Sequence, residues 1–327
     1  MRVGVVGVGA IGGTLAALLD RSGHEIAVAA RGATLEAISS AGLQLTGAFG
    51  EYTAHPSAAE TLPSGVAYDL VVFATKAMDA STALAANAGA CVGTPVLIVQ
   101  NGLDAITGAG ELLPNSRLLG GLSVWAATQT RPGGILVTAP GSLVIGPTDD
   151  ADPIVQLLGE AVPTSATRDL VASQWSKLVV NQVNALPAIT GLSVQETVAD
   201  PDLRRVLTAS IRETVGVARA AGVRFARFQG LSDPLLSVIR GVPARLAEQL
   251  PRLMARRMGQ VPNYGSTLQS IRRGLPTEID YLNGAVVAAA ARAGVAAPIN
   301  ERLTRLVHEV ERTGVFLTPA EVAEQVR

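Results

Sequence analysis

Arg2-Val3-Gly4-Val5-Val6-Gly7-Val8-Gly9-Ala10-Ile11-Gly12 is the stretch that decides the fold. Arg2 to Val6 is a short β-branched run, and the residues from Thr14 to Leu19 read as a helix. Between them Gly7, Val8, Gly9, Ala10, Ile11 and Gly12 spell G-x-G-x-x-G in the context that gives the pattern meaning: strand, tight turn, helix. Gly7 permits the turn, Gly9 lets the backbone approach a pyrophosphate, and Gly12 lets strand and helix pack closely. The helix N-terminus then faces the anion. These six residues are the candidate dinucleotide-binding turn.

The second strand runs over Glu25 to Ala30 and is followed by Arg31. A carboxylate at that point accepts from a ribose 2′-hydroxyl, whereas a cation suits a 2′-phosphate, so Arg31 points to NADP(H). Further apolar runs lie at Leu70 to Ala74, Val96 to Val99 and Leu118 to Val124, separated by alanine-rich helical pieces such as Ala80 to Ala90. Alternating strands and helices predict a doubly wound parallel sheet of Rossmann type. Ligands bind beyond the carboxyl ends of such strands, which makes Lys76 and Asn101, in Thr75-Lys76 and Gln100-Asn101-Gly102, candidates for the same cleft.

Pro132-Gly133-Gly134 separates two β-prone runs, Val124 to Thr128 and Gly134 to Thr138, and predicts an antiparallel hairpin at the sheet edge. Ser142 to Gly146 reads as one more strand, Pro147 to Pro153 as a turn, and Ile154 to Glu160 as a helix. The first domain is expected to span residues 1–169, with an all-α domain over 170–327.

In that second half, Gln174 to Asn184 read as one helix brings Lys177, Asn181 and Asn184 within about 60° of one another on a polar face of an otherwise apolar segment. Apolar surroundings make an ammonium costly and lower its pKa, and carboxamides hold small polar ligands. The arrangement suits a proton donor beside a substrate, although a solvated face is the plainer reading of such a helix. Asp202 to Ala221 has a helical apolar spacing stopped by Gly222, and Leu246 to Met258 is a basic amphipathic piece whose arginines read as a solvated face. Thr277 with Asp280 three residues on resembles a capping box, with Pro276 before it, so Glu278 is expected in a helix's first turn, where the dipole favours its ionised form.

Composition narrows the partners. The chain has 327 residues, and 26 basic residues against 27 acidic leave a net charge of −1, which argues against nucleic acid or an anionic membrane. A small-molecule ligand is the better expectation. One cysteine, Cys91, permits no intrachain disulfide, and three scattered histidines make a metal site improbable. The apolar N-terminal run is interrupted by five glycines, and nothing else reaches the roughly 18 to 20 apolar residues of a membrane span, so a cytoplasmic protein is expected. The alanine-rich stretch Ala285 to Ala297 offers packing either within its domain or to a second copy, leaving a homodimer open.

Taken in order, the glycine turn, Arg31, Thr75-Lys76, Gln100-Asn101-Gly102, Trp175-Ser176-Lys177-Leu178 with Asn181, Ser266 with Gln269, and Thr277-Glu278-Ile279-Asp280-Tyr281-Leu282-Asn283-Gly284 resemble the ketopantoate reductase family over essentially the whole chain. The resemblance implies an NADP-dependent oxidoreductase that reduces 2-dehydropantoate to pantoate on the way to pantothenate and coenzyme A. By it, Lys177 is the general acid and Glu278 orients substrate beside it. Asn101, Asn181, Asn184 and Ser266 hold substrate, Lys76 lines the cleft near the nicotinamide, and Arg31 takes the 2′-phosphate. Family members often carry the second asparagine eight residues after the lysine; here that position is Ala185 and Asn184 lies at seven. That departure, and the bulk of Trp125, bear on which substrate is used. The alternatives are a related NADPH-dependent reductase of another 2-oxo acid, ketone or imine, and a non-catalytic NADP(H) sensor, against which Lys177 and Glu278 both speak.

Overall fold

The computed structural model describes residues 1–259 and 262–326, and the chain divides into two units, Met1–Leu170 and Val171–Arg327.

The first unit is built around central strands, such as Leu70–Phe73 and Val96–Val99, whose apolar runs leave no polar face. Its twelve strands are β1 (Arg2–Val6), β2 (Glu25–Ala29), β3 (Leu43–Gly47), β4 (Tyr52–Ala54), β5 (Ser57–Ala59), β6 (Leu70–Phe73), β7 (Val96–Val99), β8 (Leu118–Ser123), β9 (Ala126–Arg131), β10 (Gly134–Ala139), β11 (Leu143–Gly146) and β12 (Thr164–Ala166). Eight form one sheet in the order β12-β11-β8-β7-β6-β1-β2-β5. From β5 to β8 every pairing is parallel, and only β11 against β8 runs antiparallel. Every residue of β6 and β7 is buried, as expected for strands covered on both faces. The chain goes from β1 to β2 on one side and returns to β6 on the other, so the topological switch lies beside the end of β1. The Rossmann-type expectation is met.

The hairpin, by contrast, does not extend this sheet's edge. β9 and β10 pair antiparallel, and β10 pairs in parallel with β3 to build a separate sheet in the order β4-β3-β10-β9. The helix Ala10–Arg21 packs against strands of both sheets. Its Leu15, Leu18 and Leu19 are fully buried in a core shared with Leu43, Leu45, Ile135 and Val137. Each such leucine contributes roughly 2 kcal/mol of transfer free energy, so the second sheet is fastened through this helix. Trp125 belongs to the same core, edge-on to Phe49 with ring centroids 6.4 Å apart.

The second unit is helical, with one isolated bridge, Phe228 to Leu231, outside helices among its described residues. Its longest helix, Pro201–Ala220, starts at an N-cap formed by Asp200, whose carboxylate accepts from the Asp202 and Leu203 amides. Gly222 follows with φ +74°, the left-handed conformation that ends a helix. The basic piece falls across two helices, Ala244–Ala247 and Gln249–Arg257. Among the described residues no helix is long and apolar enough to cross a membrane.

Candidate active site

In the first unit the glycine turn makes a cleft. Gly7 has φ +92°, and a Cβ there would lie 2.7 Å from the Thr75 amide nitrogen at the end of β6. Gly12 sits over the turn, where a Cβ would come within 2.1 Å of the Gly7 carbonyl. Both glycines are therefore demanded by the protein's own backbone. Gly9, the N-cap of the helix, is different: a Cβ on it would meet nothing within 4 Å. The protein itself does not need a glycine there, and the backbone at Gly9 is left open on that side.

The cleft in front of this turn has a volume of about 380 Å³ and is lined by Gly7, Val8, Gly9, Arg31, Thr34, Thr75 and Gln129, among others. The first backbone N–H groups of the helix Ala10–Arg21 have no intrahelical acceptor and face outward from its start, where Ala10, Ile11 and Gly12 lie. Arg31 is exposed and occupies the N-cap position of the ten-residue helix Gly32–Ala41, so a cation and a helix N-terminus stand together at the end of β2. Thr34 lies in that helix, and Gln129 Nε2 donates to its hydroxyl at 3.5 Å. Gln100, buried at the end of β7, donates from Nε2 to the Thr75 carbonyl at 3.0 Å and to its hydroxyl at 3.1 Å, tying β6 to β7 beside the turn. Lys76 and Asn101 follow these strands, half-buried, and do not line the cleft itself. Thr34 had a local signal, being one turn beyond Arg31; Gln129 had none, because it arrives from the second sheet.

In the second unit the helix Leu170–Asn181 carries Lys177. Trp175, Leu178 and Val179 bury its apolar face, and Ser176 donates to the Ala172 and Ala226 carbonyls at 2.9 and 2.8 Å. The α-helix stops at Asn181, and Gln182–Asn184 form a 3-10 turn before the helix Ala185–Thr190. The single continuous helix of the sequence reading is thus corrected. The three-residue turn eclipses positions three apart, so Asn184 still follows Asn181 on one side. Asn184 is buried against Gly265, whose φ is +66° and where a Cβ would lie 2.5 Å from the Asn184 Oδ1. That contact brings Asn184 to the start of the helix Gly265–Arg272, on which Ser266 is exposed.

Glu278 is half-buried but not in the first turn of an α-helix. It precedes a 3-10 turn, Ile279–Tyr281, and the α-helix begins only at Asn283. The expected capping box is not formed: Thr277 accepts from the Ile279 amide at 3.3 Å, and its own N–H donates to Glu311 at 2.7 Å. Asp280 instead meets His308 Nε2 at 2.9 Å. The Glu278 carboxylate nevertheless acts on Lys177. Burial pushes the Lys177 ammonium down to about 8, and the charge of Glu278 opposes that fall. The structure thus couples Lys177 to Glu278 by charge and brings Asn184 against Gly265, the residue before Ser266. A separate cavity of about 350 Å³, lined by Arg205, Thr208, Ala209, Arg212, Ala244 and Glu248, includes none of these residues. Among the described residues no His, Cys, Asp and Glu gather as metal ligands.

Residues 3–150 match the family described as Ketopantoate reductase PanE/ApbA, and residues 169–311 match its C-terminal counterpart. The chain belongs to the ketopantoate reductase family. Ketopantoate reductases are oxidoreductases, and the glycine turn with its open cradle at Gly9 fits the nicotinamide dinucleotide such enzymes take. The chain is similar to the 2-dehydropantoate 2-reductase of Halobacterium salinarum, 30% identical over 325 residues covering 96% of this chain and all of the relative. Among solved structures it is similar to a PanE/ApbA family ketopantoate reductase from Ralstonia eutropha, 29% identical with a TM-score of 0.80, covering 95% of this chain and 99% of that one. A D-mandelate dehydrogenase solved with NADH and anilino(oxo)acetate has the same fold, 23% identical with a TM-score of 0.80, covering 96% of this chain and 99% of that one.

Proposed function

We propose that the protein reduces the 2-keto group of 2-dehydropantoate to pantoate with NADPH, a step of pantothenate and coenzyme A synthesis, with Lys177 as general acid. The observation that carries the reading is the Lys177 ammonium, lowered to about 8 by burial and opposed by Glu278. A general acid is most effective when its pKa lies near the working pH. When bound, the dihydronicotinamide supplies a hydride to C2 of the keto acid. Lys177 meets the negative charge that develops on the keto oxygen and gives it a proton. Glu278 keeps Lys177 protonated and orients substrate, while Asn101, Asn181, Asn184 and Ser266 hold the hydroxyl and carboxylate groups of the keto acid.

Residues Gly7 to Gly12 hold the cofactor's pyrophosphate, and Lys76 and Asn101 serve the nicotinamide end. Arg31, beside the N-terminus of the helix Gly32–Ala41, favours NADPH by taking the 2′-phosphate. A second reading, reduction of a different 2-oxo acid, is favoured by one observation: the second asparagine of the lysine segment is Asn184, buried against Gly265, with alanine at 185. The test is cofactor oxidation by purified protein with ketopantoate and a panel of other 2-oxo acids, using NADPH and NADH in parallel. Turnover of ketopantoate with NADPH supports the reading. Turnover of another member alone moves the substrate and keeps the chemistry, and cofactor binding with no turnover of any defeats the assignment of Lys177.

A further inference from the structure

The second unit contains a hydrogen-bonded hub with no solvent access: Gln182, Ser210, Asn283 and Asn300 are all fully buried. Its members come from distant parts of the second unit. Gln182 directly follows Asn181 in the 3-10 turn that ends the lysine helix, and Asn283 opens the helix that follows the 3-10 turn after Glu278.

The orientation of each amide is forced. Gln182 Nε2 donates to the Leu178 carbonyl at 3.1 Å, one turn back along the lysine helix, so its Oε1 is the acceptor turned into the hub. The Glu213 carboxylate, which accepts from the Ile299 and Asn300 amides at 3.1 and 2.8 Å, also accepts from Asn300 Nδ2 at 2.8 Å, so Asn300 likewise turns its Oδ1 inward. Two oxygens thus face the hub, and Asn283 Nδ2 donates to both, each at 2.9 Å. Ser210 lies 2.7 Å from Gln182 Oε1 and 3.1 Å from Asn300 Oδ1 and has one proton to give. Only Asn283 has a proton for each oxygen at once.

We propose that Asn283 is a positioning residue: by clamping Gln182 and Asn300 together it fixes the spacing of the Lys177 helix from the segment that carries Glu278. The inference rests on the catalytic reading of Lys177 and Glu278. Asn283 Oδ1 is itself buried without a hydrogen-bond partner, so the arrangement rests on the two bonds from Nδ2, and a shift that breaks either strands a further polar group away from water. Since Glu278 raises the pKa of Lys177, the spacing is readable as a property of Lys177 itself.

The test measures the pH midpoint for acetylation of Lys177 by acetic anhydride, located by mass spectrometry, with melting temperature recorded alongside. Asn283→Ala removes both donors; Gln182→Met keeps the length of the side chain and provides a second route should Asn283→Ala fold poorly. In either variant the midpoint is expected to fall, by about half a pH unit or more, as Glu278 loses hold of Lys177. Added to Glu278→Gln, the same change is expected to leave the midpoint where Glu278→Gln alone sets it. A lowered melting temperature with an unmoved midpoint would make the hub merely structural and overturn the proposal. So would a rise in the midpoint, or a fall that persists in the Glu278→Gln background. The labelling uses no substrate, so failure to reduce ketopantoate would defeat the function proposed above and leave this measurement to stand or fall separately.

Discussion

Burial lowers the Lys177 pKa and the charge of Glu278 raises it, and the balance stands at about 8, so two residues about a hundred positions apart set one ionisation between them. Burial has the larger effect, and the ammonium is left poised rather than fixed. Much of the expected behaviour of the protein follows from that balance.

The rate should report it directly. As a general acid, Lys177 works protonated, so kcat/KM is expected to be level below about pH 8 and to fall above it. Glu278→Gln removes the contribution that raises the pKa, and the descending limb is expected to move to lower pH. The check is a pH profile of both proteins; a limb that Glu278→Gln leaves in place would mean that Lys177 is not the group titrating.

Stability should carry the same signature with the opposite benefit. The folded pKa of Lys177 is depressed below its ordinary value of 10.5, so between about 8 and 10.5 the unfolded chain binds more protons than the folded one. Stability therefore rises with pH across that window, and below it the cost of burying the ammonium is paid in full. Lys177→Met is expected to be more stable than wild type at pH 7 by about 1–2 kcal/mol, with the gain shrinking toward pH 10. Urea unfolding of both proteins at several pH values measures it.

At the cofactor turn the two kinds of glycine separate folding from binding. Gly12→Ala places a Cβ against the Gly7 carbonyl and is expected to cost about 1–3 kcal/mol of stability. Gly9→Ala meets no protein atom, so its stability is expected to stay within about 1 kcal/mol of wild type while cofactor affinity drops at least tenfold. Thermal unfolding with and without NADPH distinguishes them. Equal losses of affinity and stability in Gly9→Ala would contradict the role given to its open face.

Arg31→Ala should discriminate between cofactors. Loss of a charge-assisted contact to a phosphate is expected to weaken NADPH binding about 10- to 100-fold and to leave NADH nearly untouched. Titrations with both nucleotides provide the comparison, and parallel losses would remove Arg31 from 2′-phosphate recognition.

What could be read from the sequence was what is local. The strand, turn and helix from Arg2 to Gly12 hold their signal within one short window, and the parallel core strands announce themselves as unbroken apolar runs. The second sheet was not legible, because β3 finds its partner in β10, where Gln44 pairs with Gly134 far along the chain. The break at Gln182 was hidden for the same reason: its side chain answers to Ser210 and Asn283, which no helical periodicity reveals. The capping box expected at Thr277 had the right spelling, yet Glu311 takes the Thr277 N–H, whereas Ser193 with Glu196 and Thr318 with Glu321 form true boxes. Lys177 and Glu278 were singled out by the resemblance of the segments around them to the family, and the structure adds the charge of Glu278 acting on Lys177.

The central claim is that Lys177 delivers the proton, and the most direct measurement is NADPH-linked reduction of ketopantoate by wild type and Lys177→Ala, with NADPH affinity measured on both. Wild type is expected to turn over and Lys177→Ala to lose about 10²–10⁴-fold in kcat, with NADPH affinity unchanged. Equal turnover by the two proteins would contradict the account and return the Lys177 helix to a structural role.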